Sequence, residues 1–92
     1  MGQAHETVTI SNQRGLHARA SAKFVNAVAM LPPELVVRVV KDGNEAAGGS
    51  ILGLMMLGAA KGDRIDIEVS GEGADAALAK LVGLVVDGFG ED

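Results

Sequence analysis

Apolar and polar side chains alternate through Thr7-Val8-Thr9-Ile10, the two-residue period of a half-buried strand. The polar run 11–15 ends it. From His17 the period lengthens to that of a helix, with Ala20, Phe24, Ala27, Val28 and Leu31 on one face. Pro32-Pro33 stops that helix, because proline disfavours helical geometry in the residue before it. The Val-rich run 35–41 predicts a strand, Asp42-Gly43 a two-residue hairpin turn, and 44–47 a returning strand of poorer β-propensity. Gly48-Gly49-Ser50 breaks the chain before a short apolar helix over 51–57, which ends near Gly58. Lys61-Gly62-Asp63 reads as a turn. Residues 64–70 alternate again, with Ile65, Ile67 and Val69 on one face. A last helix over about 75–86 carries the stripe Leu78, Leu81, Val82 and Val85, with Phe89 near its fraying end.

The order is strand, helix, strand, strand, helix, strand, helix. Strands with one apolar face need helices on one side only. The pattern therefore predicts an α+β two-layer sandwich with a mainly antiparallel four-stranded sheet. At 92 residues, one domain over 1–92 is expected.

Composition narrows the functions. Hydrophobic residues make up 48% and charged residues 22%, which fits a packed domain and not a disordered chain. Two phenylalanines are the only aromatics and the net charge is −4, so nucleic-acid binding by stacking or phosphate attraction is not expected. The chain has no cysteine and two histidines, which leaves no thiol nucleophile and no expected metal site or cofactor. No apolar run reaches the roughly 18 residues a membrane span needs. The first residues lack the cationic start and apolar core of a secretory signal, so a cytoplasmic protein is expected. The first residues are expected to be loose, so His5 carries no expected role.

The stretch Gly15-Leu16-His17-Ala18-Arg19-Ala20-Ser21 carries the candidate chemistry. His17 stands where loop gives way to helix. The first amides of a helix lack internal partners and present partial positive charge, a ready anion site. That field disfavours an imidazolium, so a neutral, nucleophilic ring is expected. Arg19 lies in the same first turn, a costly place for a cation unless an anion visits; a phosphoryl group on His17 would be such an anion. By itself a histidine here also fits a solvated surface residue or a loose cap.

Ser50 is placed as an N-cap for the next helix. Six of the seven residues in 51–57 are apolar, more than one buried stripe requires. Leu54 and Leu57 are expected to point inward, and Ile51, Leu52 and Met55 to form an outward patch for a partner. A fully covered helix or a homodimer contact is the alternative. A phosphate on Ser50 would set about −1.5 to −2 charges beside that patch and repel an acidic partner.

These two stretches, at this spacing in so short a chain, resemble the HPr family, the histidine-containing phosphocarriers of the bacterial phosphoenolpyruvate-dependent phosphotransferase system. The resemblance covers Thr7 through Phe89. It implies an open-faced β-sandwich with three helices on one side, and a monomeric, stoichiometric carrier that is not itself an enzyme. It implies that His17 takes the phosphoryl group on Nδ1 from phosphorylated Enzyme I and that Arg19 helps hold it. It further implies that Ser50 matches the regulatory serine that a dedicated HPr kinase/phosphorylase modifies in some members. Ile51, Leu52 and Met55, with Ala18 and Ala20, would meet Enzyme I and EIIA-type acceptors. Ala20 departs from the proline that many members carry after the arginine, which removes a φ constraint from the first turn. Ala18-Arg19-Ala20-Ser21 together with Met55-Met56 resembles the proteobacterial nitrogen-type or alphaproteobacterial branch, which implies phosphorelay as such, in a sugar or a nitrogen system, rather than sugar uptake in particular.

Two other readings stand beside it. Ser50 opening an apolar helix in a small acidic protein suits an acyl or peptidyl carrier, although Gly49 stands where such carriers have Asp and the strand 64–70 disagrees with a helix bundle. A purely regulatory HPr-like protein would act by binding alone, but such relatives lack the histidine present here.

Overall fold

The computed structural model describes residues 2–91. Their order is β1 (Gln3–Thr9), α1 (Ala18–Ala29), β2 (Val36–Lys41), β3 (Asn44–Ala47), α2 (Ile51–Met56), β4 (Arg64–Ser70) and α3 (Ala74–Val86), followed by a 3₁₀ turn over Gly88–Gly90. The sheet order is β1-β4-β2-β3, and every adjacent pair is antiparallel. β4 thus lies between β1 and β2, with Val8 opposite Ile65 and Val39 opposite Ile67.

The alternation read along β4 faces the core as expected, with Ile65, Ile67 and Val69 buried. They meet Val8, Val37 and Val39 from the sheet and Phe24, Leu54, Leu81 and Val85 from the helices. The opposite face is polar. There Arg38 bridges Glu45 at 3.0 Å and Glu68 at 2.9 Å, partners set across from it or diagonally by the strand register. One face is solvated, so one helical layer suffices. No helix among the described residues is long and apolar enough to cross a membrane.

Two expectations need correction. β1 begins at Gln3, so His5 is no loose start: it pairs in register with Glu68 and its Nδ1 lies 3.6 Å from Asp66. The ladder to seven-residue β4 orders a segment whose own pattern is weak. Nor does the chain fray at Phe89, which is buried against the core in the left-handed backbone region at φ 59°.

Candidate functional site

The loop before α1 is fixed on both sides. The Ile10 amide donates to Asp63 O at 2.8 Å, Gly62 N to Ile10 O at 2.9 Å, and Leu16 N to Ala59 O at 2.9 Å. Gly15, at φ 64°, passes so close that a Cβ there would fall 2.2 Å from Ala59 O. Only glycine fits both that conformation and that space. Within the loop, Asn12 Nδ2 donates to Gly15 O at 2.9 Å. The Ser21 hydroxyl, fully buried in α1, donates to Leu16 O at 3.2 Å.

His17 is the N-cap of α1, with extended backbone at φ −75° and ψ −178°. Its Nδ1 accepts the Arg19 amide at 3.3 Å. Its Nε2 lies 2.9 Å from Glu91 Oε2, and both side chains are less than a fifth exposed. An acceptor at Nδ1 and a carboxylate at Nε2 are satisfied together by one neutral tautomer, with the proton on Nε2. The lone pair on Nδ1 then points at the helix N-terminus, held only by the long bond from Arg19 N. Arg19 itself is exposed, and its guanidinium makes no ion pair among the described residues.

Glu91 is built in from several directions. Its Oε1 accepts from Asn12 Nδ2 at 3.2 Å, and Lys23 Nζ donates to Phe89 O at 2.6 Å, pinning the turn that carries it. Burial pushes the Glu91 carboxyl pKa up. The hydrogen bonds from Asn12 and His17 and the electrostatic attraction of the His17 ring and of Lys23 outweigh that and leave it below the ordinary carboxylate value. None of Glu91, Asn12 or Lys23 stands out in the sequence. Glu91 is more than seventy positions from His17 and carries no motif; only the folded turn joins them.

At α2, Ser50 Oγ accepts the Gly53 amide at 2.9 Å, the expected N-cap. Leu54 and Leu57 point inward, while Ile51 (41%), Leu52 (67%) and Met55 (40%) are exposed, as the pattern predicts. Met56, 77% exposed, joins them and was not anticipated. The chain leaving α2 reaches Ala59, whose carbonyl holds the Leu16 amide, so the patch ends beside the His17 loop. Ser50 stands at the far end of the same helix. Ala18 is exposed beside His17, but Ala20 is wholly buried and offers nothing to a partner. It shares the Phe24 stripe that packs on the core, four residues on in the same helix.

An open antiparallel sheet under three helices, with a histidine capping the first of them, defines a small phosphocarrier-type domain. Residues 4–87 match the family model described as the PTS HPr component phosphorylation site, and the chain belongs to this family. It is 37% identical over 87 residues to the phosphocarrier protein NPr of Escherichia coli K12, covering 95% of this chain and 96% of that one. It is 42% identical over 86 residues to the phosphocarrier protein HPr of Neisseria meningitidis serogroup A, covering 94% of each. The crystal structure of HPr-C-His from Thermoanaerobacter tengcongensis superposes with a TM-score of 0.89 at 32% identity, over 97% of this chain and 98% of that one.

Proposed function

We propose that this phosphocarrier of a phosphotransferase system, a single HPr-like domain over 1–92, takes its phosphoryl group on Nδ1 of His17. The observation that carries the reading is the ring itself: it caps a helix, turns Nδ1 toward the first-turn amides, and has its other nitrogen occupied by Glu91. Phosphorylated Enzyme I brings phosphohistidine to this edge. The Nδ1 lone pair attacks phosphorus in line as the donor's N–P bond breaks, and the amides of α1 with the Arg19 fork meet the charge spread over the equatorial oxygens. An EIIA-type acceptor then reverses the step. The site lies at a helix end beside the exposed Arg19, not in a deep pocket built around the ring, which suits a carrier that must give its cargo up. It acts stoichiometrically, as a monomer in the cytoplasm, and its partners supply the rest of the catalytic machinery. The likeness to NPr favours the nitrogen-type branch.

Partners dock on Ala18 and on the exposed face of α2 formed by Ile51, Leu52, Met55 and Met56, which leads to the His17 loop. A kinase acting on Ser50 would place a dianion at the head of that helix. Intact mass after incubation with phosphoenolpyruvate and Enzyme I tests the assignment. One acid-labile phosphoryl adduct is expected on the parent protein and none on His17→Ala. An adduct that persists in the variant rejects His17 as the acceptor. Arg19→Ala keeps the adduct but loads it roughly tenfold to a hundredfold more slowly.

A further inference from the structure

The Glu91 carboxylate touches the ring on the edge opposite the reacting nitrogen. It accepts from Nε2 at 2.9 Å, its other oxygen is held by Asn12 at 3.2 Å, and Lys23 fixes the turn behind it. The side chain is 17% exposed, so this contact is better shielded than a surface ion pair. Phe89, buried just upstream, anchors the segment to the core.

The chemistry of the ring says what such a carboxylate would do. When Nδ1 of the Nε2–H tautomer attacks phosphorus, the N–P bond forms, the donor's bond breaks, and the ring becomes a phosphoimidazolium that still carries its Nε2 proton. If that proton stays, the next transfer breaks the N–P bond and returns the electron pair to Nδ1 of a neutral imidazole. If the proton is lost first, the leaving group is an imidazolate, a far poorer one. We propose that Glu91 is a positioning residue for phosphoryl transfer: it selects the nucleophilic tautomer of His17 and holds the Nε2 proton through loading and unloading, so that the ring leaves as neutral imidazole. No proton enters or leaves in either step. Besides the His17 ring, Lys23 from α1 acts on the carboxylate by its charge, and Asn12 from the preceding loop is its neutral partner. This rests on His17 being the acceptor.

Two measurements on the intact protein test it. In unphosphorylated protein near neutral pH, the His17 Nε2–H proton should give a downfield, exchange-protected NMR resonance that moves upfield in Glu91→Gln and vanishes in Glu91→Ala. After loading, Glu91→Gln should pass its phosphoryl group to an EIIA-type acceptor roughly fivefold more slowly, with little change in apparent affinity. Its adduct should also outlive the parent's near neutral pH, because a ring that loses its proton hydrolyses more slowly. Merely loosening the site would shorten that lifetime instead. A resonance that is absent from the parent or indifferent to Glu91, or transfer and hydrolysis equal to the parent's, overturns the proposal. An adduct surviving in His17→Ala is a different failure, that of the acceptor assignment, and the NMR arm still judges the Glu91–His17 contact without it.

Discussion

At the scale of single residues, the site depends on side chains held in fixed relation by the loop 10–17. Gly15 tolerates no Cβ, because it combines a positive φ with a backbone carbonyl in the way. Gly15→Ala should therefore cost more than about 2 kcal/mol of unfolding free energy, read by urea denaturation. Glu91 gives a pH signature whose sign follows from its lowered pKa. The unfolded chain takes up a proton first as pH falls, so the carboxylate's contribution to stability is full above its ordinary value of 4.5 and is lost as pH drops through the lower, folded-state value. The stability gap between the parent and Glu91→Gln should stand near neutral pH and close in that acid window. A gap constant with pH would mean that the carboxylate's charge contributes nothing to the fold. His17 and Arg19 were legible in the sequence because a helix start has a recognisable field. Glu91 was not, since nothing local distinguishes one C-terminal acid from another.

At the scale of elements, α2 joins two roles at its ends: the Ser50 cap and the exposed apolar face beside the His17 loop. The two separate by substitution. Ser50→Ala removes the cap and should lower stability by about 1 kcal/mol while leaving Enzyme I binding unchanged. Ser50→Asp keeps a capping oxygen and adds charge, so stability should hold while affinity for an acidic partner falls, as titration calorimetry would read. Leu52→Glu at 67% exposure should barely alter stability yet slow loading by Enzyme I at least several-fold. The helical period separated Leu54 from Leu52 correctly, because burial follows the stripe. The same period sets Ala20 on the buried Phe24 stripe and Ala18 off it; only the family resemblance put both at a partner's surface, and the packing of the core sides with the period.

At the scale of the whole molecule, the order β1-β4-β2-β3 brings both ends of the chain's chemistry together. α3 packs against β1 and β4 and returns the chain to the loop before α1, where the Ser11 hydroxyl donates to Val85 O at 3.2 Å and Glu91 reaches His17. Phe89→Ala should cost about 3–5 kcal/mol by chemical denaturation and also release the Glu91 turn, because the ring is both core and anchor. The sequence by itself determined the element order, the buried faces of the strands and helices, and the histidine at a helix start. Each of those is a local consequence of side-chain period and of backbone groups left unpaired at a helix end. Only the tertiary structure decided that β4 inserts between β1 and β2, that β1 reaches back to Gln3, and that a carboxylate near the end of the chain closes on the imidazole. Strand partners and distant side-chain contacts are chosen by the packing of the entire core, and that free energy has no counterpart in any local stretch of residues.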